Sequence, residues 1–110
     1  MIERGDVVWV DFGSEPAKRR PAVVIQDNWL LASEISTVLV VPLTSNVDLE
    51  PFPGNALIPA VTSGLDRDSV AVISQVGPVS REFIEPFAVG SLPPYLLGKV
   101  SAGVRLVAGL

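Results

Sequence analysis

Neither cysteine nor histidine occurs in this chain, and each absence excludes a definite chemistry. Without cysteine there is no disulfide framework and no thiolate zinc site. Without histidine the commonest metal ligand and the usual general base are both missing. Charge is scarce too: charged residues make up 18% of the chain and hydrophobic residues 48%, the balance of a compact globular protein and not of a disordered one. Long hydrophobic runs are absent as well. Pro, Gly or a charged residue breaks every apolar stretch, and none approaches the ~20 residues of a membrane span. The N-terminal Met1-Ile2-Glu3-Arg4-Gly5-Asp6 lacks the basic and apolar regions of a secretory signal. The expectation is a cytoplasmic protein with no resident metal and no cofactor.

What the chain does contain is a series of short β-branched runs. Its 110 residues make one domain, 1–110, with room for one modest core, and no internal repeat or linker divides it. Asp6 to Phe12 reads as a first strand, with Val8, Val10 and Phe12 alternating against Val7, Trp9 and Asp11. Ala22 to Gln26 and Thr37 to Leu43 read as buried strands. Residues 28–34 form a short helix or an irregular connection, and 47–54, with two prolines and a glycine, an exposed loop. Further strands are expected over 55–60 and 68–76, joined through a Ser63-Gly64 turn. A helical turn at 81–86 and a last short strand at 87–92 follow. From Pro94 to Val107 the residues Leu97, Val100, Val104 and Val107 recur at helical spacing. Prolines 93 and 94 suit a helix start and Gly109 its end. Gly98 and Gly103 weaken that helix by up to ~1 kcal/mol each relative to Ala. The pattern is mainly β with a C-terminal helix, folded as a small barrel or a strongly bent sheet.

Two polar clusters break the apolar pattern. One is Lys18-Arg19-Arg20, ahead of Pro21; the other is Thr44-Ser45-Asn46, at the end of the Thr37 run. The segment between Gln26 and Thr37 is shorter than the dozen or so residues of a parallel crossover, so the two strands should pair antiparallel. Arg20 then comes near Thr44, and a guanidinium beside hydroxyls suits a phosphate. The net charge of −4 alone argues against nucleic acid, but three of the eight basic residues sit at positions 18–20. A local positive patch on an acidic body still attracts a phosphate backbone.

These residues also match a known pattern. The chain resembles the MazF/PemK toxin family of toxin–antitoxin modules. The match is carried by Arg4-Gly5-Asp6-Val7-Val8-Trp9-Val10-Asp11-Phe12, Gly13-Ser14-Glu15, Arg20-Pro21-Ala22-Val23-Val24-Ile25-Gln26, Val41-Pro42-Leu43-Thr44-Ser45-Asn46 and Asp68-Ser69-Val70, with Gln75 beyond. The ordered series is the specific signal; no single motif is. The resemblance implies an SH3-like or CcdB-like small barrel that forms a homodimer. It also implies metal-independent cleavage of single-stranded RNA at a short sequence, leaving 2′,3′-cyclic phosphate and 5′-hydroxyl ends. By family pattern Arg20 is the catalytic arginine, Thr44 the catalytic threonine and Glu15 the catalytic acidic residue. Ser14, Lys18, Arg19, Ser45, Asn46 and Gln75 would contact RNA. The cognate antitoxin would be the protein partner. The loop between Phe12 and Pro21 is shorter than in many relatives, which bears on Glu15.

Bland readings stand beside these. Arg20 is equally an ordinary surface residue at a strand start, and Thr44-Ser45-Asn46 ordinary strand-end turn chemistry. Asp66 and Asp68 flanking Arg67 read as a solvated turn. Trp9 belongs partly to the core, and Trp29 is either a stacking platform for bases or a lid over the core. With no histidine, the 2′ proton would go to Glu15, to water or to an arginine in an unusual role. Two other functions share this outline: a gyrase-binding toxin of the CcdB-like fold that cleaves nothing, and an inactive relative that binds only antitoxin or DNA.

Overall fold

The computed structural model describes residues 1–12 and 19–110; the expectations for Ser14, Glu15 and Lys18 lie outside the described residues. The β-branched runs become strands β1 (Asp6–Asp11), β2 (Arg19–Val24) and β3 (Thr37–Thr44). They pair antiparallel in sequence order, with Val7 opposite Val23, Val10 opposite Arg20, and Ala22 opposite Pro42. The short β2–β3 connection holds α1 (Asn28–Ala32), whose first turn is capped by the Asp27 carboxylate accepting the Trp29 N–H at 2.9 Å.

Both faces of this three-stranded centre are covered, which is why its sequence reads as nearly continuous apolar runs. Val7, Val23, Val41 and Leu43 pack on one face with Leu96 and Val100. Val8, Val10, Ala22 and Val24 pack on the other with Leu31 and Ile84. The first cluster is closed by the C-terminal helix α3 (Pro94–Ala108), with Pro94 at its start and Gly109 as its left-handed cap at φ 73°. Leu96, Val100 and Gly103 are its buried residues. Leu97 and Val104 of the expected stripe only flank them, and Val107 is exposed.

β3 organises the rest. Its free edge pairs with β6 (Gly77–Ser80) through Thr37 to Val40, and with β5 (Ser69–Ala71) through Leu43 and Thr44. β4 (Ala56–Ile58) adds to β5, and β7 (Gly90–Ser91) to β1. Among the described residues the sheet has seven strands in the order β4-β5-β3-β2-β1-β7, with β6 beside β3. It is a half-barrel with the C-terminal helix packed on one face, the mainly β architecture expected.

Two local expectations are corrected, and one strand is added. The strand over 68–76 stops at Ala71, because Ile73–Gln75 turn as a 3-10 helix and the Ile73 N–H is taken by Asn55 Oδ1 at 3.0 Å. The strand over 55–60 is only Ala56–Ile58, and Ala60–Ser63 forms a short helix, α2, whose first N–H donates to Asp68 Oδ1 at 2.9 Å. The added strand is β6, whose Gly77-Pro78 reads as a breaker in the sequence. Among the described residues β6 pairs only with β3, and an edge strand tolerates the missing proline donor.

Candidate functional site

The β2–β3 ladder ends at Ala22 opposite Pro42, although β2 begins at Arg19 and β3 runs to Thr44. Beyond that point β3 stays paired on its other edge, with β5, Leu43 lying opposite Ala71 and Thr44 opposite Val70. The two polar clusters therefore flank a gap where the sheet divides. Strand alternation sets Arg20 and Thr44 on one face, with Val10, Ala22 and Val40. The observed register, carried two residues further, brings Arg20 across from Thr44.

The two described arginines of the basic cluster have different surroundings. Arg19 is engaged twice. Its Nε and Nη2 donate to the two carboxylate oxygens of Glu85, the second at 3.0 Å, and its guanidinium lies 4.1 Å from the centre of the Trp9 ring. Arg20 is exposed, and its side chain has no hydrogen bond or ion pair to any described residue. A solvated, permanently charged fork is thus presented at the gap.

Pairing with Arg19 holds the Glu85 carboxyl below the usual carboxylate range, and Glu85 in turn raises Arg19. A carboxylate whose pKa is lower folded than unfolded stabilises above its unfolded value, and that contribution fades as pH falls through the folded value. The stability difference between wild type and Glu85→Gln should accordingly be present at neutral pH and shrink in acid. It will be modest, as both side chains are about half exposed. Urea midpoints of the two proteins across the acid range measure it; a difference that grows in acid would contradict the pairing.

The second cluster is built by local turn bonds. Thr44 is half-buried, and its Oγ1 accepts the Asn46 N–H at 3.2 Å. Asn46 Oδ1 accepts the Asp48 N–H at 3.2 Å and caps the 3-10 turn Val47–Leu49. Each oxygen already accepts a backbone N–H, and the Thr44 hydroxyl hydrogen and the Asn46 amide NH₂ remain as donors. Ser45 and Asn46 are exposed. Turn chemistry and donor placement are here the same arrangement.

Gln75 is exposed on the 3-10 turn Ile73–Gln75, on the opposite side of β3 from β2, and makes no side-chain hydrogen bond to Arg20 or Thr44. Trp29 is 77% exposed and covers no core; the buried residue of α1 is Leu31. Trp9 is half-buried, as expected. Glu85 escaped the sequence reading, because nothing local marks a partner 66 positions from Arg19. Among the described residues no cluster of three or more Asp and Glu is placed to hold a metal ion.

Comparison with known proteins adds the following. The family model of the PemK-like, MazF-like toxins of type II toxin–antitoxin systems matches residues 3–108. The chain is 38% identical over 114 aligned positions to the endoribonuclease MazF6 of Mycobacterium tuberculosis, covering 100% of this chain and 99% of that protein. It is 32% identical over 111 positions to the endoribonuclease toxin MazF of Escherichia coli, covering 97% and 94%. In fold it is similar to a mycobacterial endoribonuclease solved in complex with its cognate antitoxin, at TM-score 0.80 and 17% identity over 100% of this chain and 97% of that one. A MazE–MazF complex from Deinococcus radiodurans gives TM-score 0.79 at 20% identity, covering 99% and 97%.

Proposed function

The chain belongs to the PemK-like, MazF-like toxins of type II toxin–antitoxin systems and is an endoribonuclease, and from that premise we propose that it cleaves single-stranded RNA without a metal, through Arg20 and Thr44. The ribose 2′-oxygen attacks the adjacent phosphorus, the bond to the 5′-oxygen breaks, and the products are a 2′,3′-cyclic phosphate and a 5′-hydroxyl. Negative charge grows on the nonbridging oxygens as the new bond forms. Arg20 supplies a forked charged donor to them and Thr44 a neutral one. Glu15 takes the 2′ proton, and the departing 5′-oxygen is protonated from water.

The observation that carries this reading is the contrast at the gap. Arg19 is committed to Glu85 and Trp9, while Arg20 is free among the described residues and shares its face with a threonine whose acceptor is already occupied. Ser45 and Asn46, with Ser14, Lys18, Arg19 and Gln75, contact the RNA on either side of the scissile phosphate. The cognate antitoxin silences the enzyme with an acidic segment over the basic cluster, where the −4 chain offers it attraction. A homodimer is part of the proposal; Tyr95, Leu106 and Leu110, at 63%, 64% and 88% exposed, supply apolar surface for a second copy. Among the described residues no helix is long and apolar enough to cross a membrane, and the proposed site of action is the cytoplasm, where the RNA is.

Incubating the purified protein with mixed-sequence RNA in excess EDTA tests the whole reading. The expected result is cleavage that persists, with cyclic phosphate ends. Intact RNA, or cleavage restored only by added metal, overturns it, and intact RNA is also what the gyrase-binding alternative requires. Thr44→Val removes one donor and should slow cleavage roughly a hundredfold, with Thr44→Ser milder. Single-turnover rates on one oligonucleotide measure this, and a wild-type rate in Thr44→Val would reduce Thr44 to a strand-end residue.

A further inference from the structure

The gap between β2 and β3 opens, on the sheet face opposite Arg20 and Thr44, into a cavity of about 270 Å³. Its apolar walls include Trp9, Pro21 and Leu43; its polar groups include Ser45, Asp66 and Arg67. Pro21 directly follows Arg20, and Leu43 and Ser45 flank Thr44, so the cavity lies across the strand ends from the proposed catalytic pair. It is smaller than the ~300–1,000 Å³ of sites for larger organic ligands, and suits a single heterocycle.

Three features give this cavity a chemistry. Trp9 forms a flat wall, and Arg19, itself held by Glu85, rests 4.1 Å from the ring centre and anchors it. Asp66 and Arg67 are exposed neighbours on the loop before β5, and neither side chain has a hydrogen bond or ion pair to a described residue. An acceptor-only carboxylate and a donor-only guanidinium thus both reach the same small space. The turn reading of Asp66-Arg67-Asp68 accounts for Asp68, which receives the α2 amide. It leaves Asp66 and Arg67 without a task.

We propose that this cavity reads one base of the RNA beside the scissile phosphate, and that the base is guanine or cytosine. The proposal rests on the endoribonuclease reading above and deepens it. Guanine and cytosine each carry an exocyclic amine and a carbonyl. Asp66 accepts from the amine, as carboxylates do from cytosine N4, and Arg67 donates to the carbonyl oxygen and a ring nitrogen, as arginine does to guanine. Adenine offers Arg67 a single ring nitrogen beside its amine in place of a carbonyl and ring nitrogen together, and uracil N3 carries a hydrogen, so its carbonyls have no ring acceptor beside them; either base satisfies the Arg67 fork only in part. Stacking on Trp9 accepts any base and supplies affinity without choice.

The test uses 2′-fluoro RNA oligonucleotides, which lack the attacking hydroxyl: a uridine run with one central A, C, G or U. In a Trp29→Phe background Trp9 is the only tryptophan, and its emission reports occupancy. The expected result is quenching by the G or C oligonucleotide at concentrations about tenfold below those for A and U. Asp66→Asn and Arg67→Gln should each erase most of that preference. In sequencing of cleavage ends from a randomised RNA, the same variants should flatten the preference at one position. Equal quenching by all four oligonucleotides, no quenching by any, or a preference unchanged in both variants overturns the proposal. Base-selective quenching by a protein that cuts no RNA would sink the catalytic reading and leave the pocket standing. Cleavage with an indifferent Trp9 does the reverse.

Discussion

Replacing Arg20 with alanine should cut the cleavage rate by a hundredfold to a thousandfold or more, the range seen when one preorganised donor to a developing oxyanion is removed. The structure makes the experiment clean. The Arg20 side chain is exposed and bonded to no described residue, so its loss leaves no buried group unsatisfied and should not disturb folding. Arg20→Lys should recover little, because an ammonium is a point charge and cannot span two phosphate oxygens as the planar fork does. Arg19→Ala makes an instructive contrast. It frees Glu85 and uncovers Trp9, so part of its effect should appear as lost stability, which Arg20→Ala should not show. Single-turnover rates paired with thermal melts separate the two. Full activity in Arg20→Lys would remove the fork from the mechanism, and full activity in Arg20→Ala would remove the residue.

The other large effect concerns α3. Helix propensity alone makes both of its interior glycines look improvable, by up to ~1 kcal/mol each on replacement with alanine. Packing divides them. A methyl at Gly98 would meet nothing within 4 Å, so Gly98→Ala should stabilise by about the propensity difference. At Gly103 the added carbon would lie 2.3 Å from the Gly54 carbonyl oxygen and 3.0 Å from the Ile73 side chain. The helix must move off the loop that carries Gly54, or that loop must yield. Overpacking of this kind costs about 1–3 kcal/mol and outweighs the propensity gain. Gly103→Ala should therefore lower the urea midpoint and Gly98→Ala raise it. Equal shifts of one sign in both would mean that propensity governs this helix and the close approach does not.

That sign difference marks the boundary between what was legible in the chain and what was not. Local chemistry determined the elements that depend on it. The β-branched runs of β1 to β3 and the span of α3 between Pro94 and Gly109 can be read from spacing. So could the antiparallel sense of β2 and β3, because a short connection allows no other. Arg20 and Thr44 were visible as candidates for the same reason: each ends a readable strand, and the connection brings those ends together.

Only the tertiary structure decided the remainder. β6 carries a breaker sequence and exists because β3 offers it a partner edge. The 68–76 run breaks into a strand and a 3-10 turn because Asn55, eighteen positions from Ile73, takes the amide that a strand would have used. Which arginine is free and which is bound depends on Glu85, far along the chain. The cavity beside Trp9 arises where the β2–β3 ladder ends while β3 runs on beside β5, a division that no residue announces. Each of these turns on a contact between segments distant in sequence. The free energy of such a contact is set by what the fold brings opposite a residue, and no local pattern contains it.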